Sequence, residues 1–218
     1  MRNVTETVKQ LIIINILFFI GTLLVSGPAY KYLALFFPEN QDFKAWQPIT
    51  YMFMHGGFMH ILFNMFALYS FGSALELFWG SKKFLFFYIS CGLGSALVHT
   101  GVNYYHFQEG LNTLLSNGFS KVEILQLLNE GKIDTRWQEL LTVTEFQNFT
   151  SAYLGTAVGA SGAIYGIIVA FFIIGEIRCI YKALTCNWEP IGKAEVIYTV
   201  GSFTGLGSVI GWFNIEDK

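Results

Sequence analysis

Long apolar stretches recur along this chain with only short polar connections between them, and that recurrence constrains the fold more than any single residue. They lie at 11–25, 57–78, 84–102, 152–174 and 196–213. Each approaches or matches the ~20 residues that an α-helix needs to cross ~30 Å of hydrocarbon. The chain is 53% hydrophobic and 13% charged, against a usual charged share of ~25%. A soluble domain of this size has too little interior to hide that much apolar surface, whereas a lipid bilayer receives it. A cleaved leader at 11–25 is the competing reading, with Val25-Ser26-Gly27 faintly like a cleavage site. The equally apolar stretches that follow favour a span. The expected fold is therefore all-α: a polytopic membrane helix bundle of five spans, in a single domain over residues 1–218.

The connections carry their own signals. Residues 27–50 hold Pro28, Pro38 and Pro48, with Tyr30, Tyr32, Phe36, Phe37 and Trp46, aromatic rings that suit a membrane interface. Residues 103–150 alternate polar with apolar and hold many of the acids. They read as an amphipathic helical insertion, extramembrane or interfacial, between spans three and four. Ser120-Lys-Val-Glu123 predicts a capped helix over 122–128 that Gly131 ends, and 136–149 predicts a second. Small residues in spans two and three (Gly72, Ser73, Ala74; Gly92, Gly94, Ser95, Ala96) let helix backbones approach closely. The basic Lys82-Lys83 turn places the N-terminus on the cytoplasmic side, which puts His55 and Ser161 near the outer mouths of their spans. A net charge of −2 gives no reason to expect nucleic acid. The three cysteines, Cys91, Cys179 and Cys186, have neither metal spacing nor an even count. No cofactor is expected.

Polar groups inside apolar stretches are costly, so they mark candidate function. Span two opens with His55-Gly-Gly-Phe-Met-His60-Ile-Leu-Phe-Asn64. His60 and Asn64, four apart, share a helix face. His55 falls about 140° from His60 in a regular helix, so it joins them only from the connection before the helix, which Gly56-Gly57 permits. Singly, each histidine could be a satisfied interior or interfacial residue, and Asn64 could be interhelical glue. Two histidines could also be metal ligands, but no carboxylate or cysteine completes a set. Span four contains Gly159-Ala-Ser161-Gly-Ala-Ile-Tyr165-Gly166. Small residues around Ser161 would let a substrate backbone come close; ordinary small-residue packing is the alternative.

Together, His55…His60…Asn64, the 72–80 region with Glu76, and the Gly159 to Gly166 motif resemble the rhomboid family of intramembrane serine proteases. The resemblance implies a six-helix core with a water-accessible cavity opening outward. It also implies a Ser–His dyad that cleaves the transmembrane helix of a membrane-protein substrate near the outer surface, in the bacterial inner membrane. By the same resemblance Ser161 is the nucleophile, and His60 and Asn64 are oxyanion donors helped by the Ser161 amide. His55, Tyr165 and Gly159 support the site, and Glu76 is structural. The family's base histidine sits in the sixth span, in a pattern like His-x-x-Gly-x-x-x-Gly. Here no histidine follows His106. In one register Thr204 takes the histidine's place before Gly207 and Gly211. In the other, favoured here, 190–194 leads into a fifth span and the sixth is missing, as in a truncated or frameshifted product. His99, near the outer end of span three, is the remaining histidine at a suitable depth. A catalytically dead relative that binds membrane helices is the alternative function.

Overall fold

The computed structural model describes residues 4–186 and 192–215; Arg2, Lys218 and the 190–191 part of the expected lead-in lie outside them. The helices run in the order α1 (Glu6–Leu24), α2 (Ser26–Leu33), α3 (Gln47–Thr50), α4 (Phe58–Ala67), α5 (Ser73–Trp79), α6 (Ser81–Ser116) and α7 (Lys121–Asn129). There follow α8 (Trp137–Leu140), α9 (Val143–Leu154), α10 (Ser161–Thr185), α11 (Lys193–Thr204) and α12 (Gly207–Ile210). A 3₁₀ turn, Tyr51–Phe53, follows α3, and a π-helical turn, Leu68–Gly72, joins α4 to α5.

Among the described residues, four helical segments are long and apolar enough to cross a membrane: Glu6–Leu24, Phe58–Trp79, Ser81–Ser116 and Ser161–Thr185. The all-α membrane architecture stands, but the expected fifth span does not form as one helix. Gly205 adopts φ +75°, a left-handed conformation that glycine takes without steric cost, and it splits 196–213 into α11 and α12. The 12 residues of α11 rise only ~18 Å, short of the hydrocarbon thickness. The third span, in contrast, outruns its expected end. At 36 residues, α6 is about 54 Å long and continues the membrane helix into the insertion until Gly118, at φ +91°, turns the chain.

The chain divides into two compact units. The first comprises the described parts of Met1–Ile12, Met65–Tyr88 and Ile164–Lys218. Within it, the Glu76 carboxylate accepts the Thr7 and Val8 amides at 3.1 and 3.0 Å and the Ser81 hydroxyl at 2.6 Å. First-turn amides have no partner within their own helix, so one buried acid caps α1 and ties it to the start of α6. That is the structural role expected of Glu76. In the same unit Gly175 and Gly211 allow α10 and the α12 end to touch: a Cβ on Gly211 would lie 1.9 Å from the Gly175 carbonyl oxygen. Trp212 locks this contact. It stacks on Phe171 at 4.8 Å and donates its indole N–H to the Phe171 carbonyl at 3.1 Å.

The second unit comprises Ile13–Asn64 and Ile89–Ala163 and contains the insertion. Phe37, Phe107, Leu111, Leu114, Ile124, Leu128, Trp137, Phe149 and Tyr153 form one buried apolar cluster there. Ser120 caps α7, accepting the Glu123 amide at 3.2 Å, as the sequence predicts. The expected second helix, 136–149, divides into α8 and α9. Thr142 leaves the helix and forms a reciprocal capping box with Glu145, which restarts the chain in a new direction. The first connection is organised by Gln47, fully buried. Its Oε1 accepts the Phe36 and Lys44 amides, and its Nε2 donates to the Lys31 and Asp42 carbonyls. A buried amide is tolerated only when its donors and acceptors are used in this way.

Candidate active site

The serine does not sit inside a long span that begins near Ala152, as its apolar surroundings suggest. Residues 152–154 finish α9, with Tyr153 buried in the insertion's core. Residues 155–160 are non-helical, and α10 starts at Ser161 itself. Two hydrogen bonds between Leu35 and Ala157, 3.0 and 2.9 Å, pair this segment antiparallel with the first connection. A third, from the Gly159 amide to the Tyr51 carbonyl, is 2.8 Å. Gly159 adopts φ +126°, a conformation that side-chain-bearing residues rarely take. It turns the extended segment into the helix.

The partners from span two arrive as the helical periodicity requires. His55 lies in the connection between the 3₁₀ turn and α4, and His60 and Asn64 follow in α4. The His55 and His60 rings meet edge to face at 5.0 Å. A Cβ on Gly159 would lie 2.7 Å from His60 Nε2 and 3.6 Å from Ser161 Oγ. The imidazole and the hydroxyl thus flank one point, which only a glycine leaves open. The Gly56 amide donates to His60 Nδ1 at 3.4 Å. That contact favours the tautomer whose N–H is on Nε2, the nitrogen facing Gly159 and Ser161. Asn64 is 7% exposed, and its Nδ2 finds no acceptor among the described protein groups. A buried unpaired donor costs about 1–3 kcal/mol.

Tyr165 belongs to the first unit and is 72% exposed. Thr204 also belongs to the first unit, and its hydroxyl donates to the Val200 and Gly201 carbonyls of its own helix. His99 Nε2 is engaged by the Asn103 amide at 3.0 Å. No grouping of three potential metal ligands occurs among the described residues. Sequence reading missed Tyr51 and Gln47, and took Ser95 only as a small residue for close helix packing. The only advance signals were a polar residue and an aromatic just upstream of His55, and a serine in the Gly92 to Ala96 run.

His55 carries a pH signature. It lies outside the spans and is 1% exposed. Burial, then the charge that His60 can carry, pushes its pKa down from 6.5 to about 4, against a weaker opposing pull from the Phe53 backbone. The unfolded chain therefore binds this proton more readily than the folded one. The stability contribution is complete above about pH 6.5 and is lost as pH falls toward 4. The thermal midpoint in detergent is expected to drop between pH 6.5 and 4.5, and His55→Gln is expected to flatten that drop. An equally steep profile in the variant would place the effect elsewhere.

Helices long and apolar enough to cross a bilayer mark an integral membrane protein, and a serine at a helix start lies near an imidazole beside Gly159. Residues 42–128 match the Rhomboid domain family model. Over those residues the chain is similar to the rhomboid family of intramembrane proteases. It is 29% identical over 160 residues to the rhomboid protease GlpG of Haemophilus influenzae, covering 71% of this chain and 79% of that one. It is 33% identical over 88 residues to the rhomboid protease GlpG of Klebsiella pneumoniae, covering 40% and 32%. It is 36% identical over 52 residues to the rhomboid protease GluP of Bacillus subtilis, covering 24% and 10%. The chain thus spans most of the Haemophilus protein but a third or less of the other two.

Proposed function

We propose that this site is that of a rhomboid-type serine endopeptidase acting on the transmembrane helix of a membrane-protein substrate near the outer membrane surface. The protein would sit in the bacterial inner membrane with its N-terminus cytoplasmic and residues 1–218 forming one domain. The observation that carries the reading is the convergence of His60 Nε2 and Ser161 Oγ on the space beside Gly159. In this reading Ser161 Oγ adds to the scissile carbonyl carbon, its proton passes to a base, and the carbonyl oxygen becomes an anion. The His60 Nε2–H and the Asn64 amide face that oxygen. Such preorganised donors are worth about 2.7–4 kcal/mol each.

The base is the one part that residues 162–218 do not supply as a histidine. Loss of the nucleophile or base of a serine protease costs on the order of 10⁶-fold in rate. This polypeptide by itself is therefore expected to cleave slowly, and the same absence favours a second reading: a scaffold that binds membrane helices without cutting them. A fluorophosphonate probe tests the first. Labelling is expected on Ser161, abolished in Ser161→Ala and reduced about 10²-fold in Asn64→Ala. Equal labelling of the Ser161→Ala protein would refute the nucleophile. Photocrosslinking to a membrane helix that persists in Ser161→Ala, with no cleavage by the unaltered chain, would select the binding reading.

A further inference from the structure

Tyr51 stands where three segments meet, and its ring is buried. Its hydroxyl donates to the Gly92 carbonyl of α6 at 2.7 Å. Ser95, one turn further along α6, interacts with the same phenol through its side chain. The Tyr51 carbonyl accepts the Gly159 amide at 2.8 Å. A Cβ on Gly162 would lie 2.3 Å from Ser95 Oγ and 3.8 Å from the Tyr51 phenol oxygen. The first turn of α10 thus rests directly on this pair. Four residues after Tyr51 comes His55, and His60 follows in the next helix. One residue is therefore bonded through its side chain to α6 and through its backbone to the serine segment, and it leads covalently into the histidine segment.

We propose that Tyr51 is a positioning residue for Ser161. By anchoring the 3₁₀ turn to α6, its phenol fixes the carbonyl that holds Gly159, and so sets where the serine hydroxyl stands relative to His60. The hydrogen bonds tying the 155–160 segment to the first connection run to Leu35 and Tyr51, and the Tyr51 bond is the one nearer Ser161. A misplacement of 1 Å at a reacting group costs on the order of 10²-fold, so a small drift of this turn would be felt in reactivity. The proposal rests on Ser161 being the nucleophile, and its test includes a measurement that does not.

The full chain in detergent is compared with its Tyr51→Phe and Ser95→Ala variants by amide hydrogen exchange and by saturation kinetics with the fluorophosphonate. Tyr51→Phe keeps the ring and removes only the anchor. Faster exchange confined to 156–160, with α7 unchanged, is the expected result. With it, the maximal labelling rate should fall roughly tenfold while half-saturation moves less than twofold. Ser95→Ala should move the same amides in the same direction by a smaller factor. Unchanged exchange at 156–160 in Tyr51→Phe overturns the proposal. So does a uniform acceleration that includes α7, because that is the mark of ordinary packing. If the unaltered chain takes no label, the nucleophile reading fails, and the exchange of 156–160 alone still decides the role of Tyr51.

Discussion

Gly159→Ala is expected to reduce fluorophosphonate labelling of Ser161 by at least about 10²-fold while leaving the helical content intact. Two separate effects combine. A non-glycine residue held in a sparsely populated backbone region costs of order 1–3 kcal/mol, and Gly159 sits at φ +126°. The new methyl would also lie 2.7 Å from His60 Nε2 and 2.8 Å from its Cε1, closer than carbon and nitrogen tolerate. Either the imidazole swings away or the serine segment shifts, and both separate the imidazole from the serine hydroxyl. Gly118→Ala separates the two causes. Gly118 has φ +91° with nothing within 4 Å of its added Cβ, so it suffers strain without collision. It should lower the thermal midpoint slightly and leave labelling within twofold. Full labelling of the Gly159→Ala protein would mean that the glycine is not what keeps the space between His60 and Ser161 open.

The second large effect is expected at Trp137. This side chain is fully buried at the centre of the insertion. It meets Phe149 edge to face at 5.8 Å and Phe119 at 6.5 Å. Truncating a core tryptophan costs about 3–5 kcal/mol, and in a chain of this length each kcal/mol lowers the thermal midpoint by roughly 2–4 °C. Trp137→Ala should therefore lower it by about 10 °C and open the 117–142 region to limited proteolysis first. The consequence should reach the serine. Phe149 and Tyr153 belong to the same cluster, and the Tyr153 hydroxyl is held by the Glu39 carbonyl and Asn129 Oδ1 at 3.0 and 2.9 Å. Slackening that cluster frees the chain two residues before the 155–160 segment begins. A Trp137→Ala protein with unchanged protease resistance and midpoint would show that the insertion is not held by this core.

Much of the architecture is legible in the residues because lipid imposes a simple rule on length and polarity. Spans one to three appear in the sequence within a few residues of their structural positions, apart from the extension of α6. The placement of His55 before α4 follows from helical periodicity together with Gly56-Gly57. Composition fails where an apolar segment is not helical. Residues 152–160 read Ala-Tyr-Leu-Gly-Thr-Ala-Val-Gly-Ala, apolar enough to continue a span, yet Gly155 and Gly159 mark where the helix stops and the extended piece turns. The terminal stretch misleads in the same way. Its hydrophobicity predicts a crossing, while Gly201, Gly205, Gly207 and Gly211 permit the bend and the close contact with α10. Tyr51 and Gln47 escape sequence reading altogether, because their importance lies in backbone groups distant along the chain.

The start of α10 at Ser161 has an electrostatic result that a mid-span serine would lack. The first amides of a helix have no carbonyl of their own turn to bond, and the aligned peptide dipoles leave roughly half a positive charge at that end. As the first of the 25 residues of α10, Ser161 stands at the positive pole of a long dipole, where negative charge on its oxygen would be favoured by the backbone before any side chain contributes.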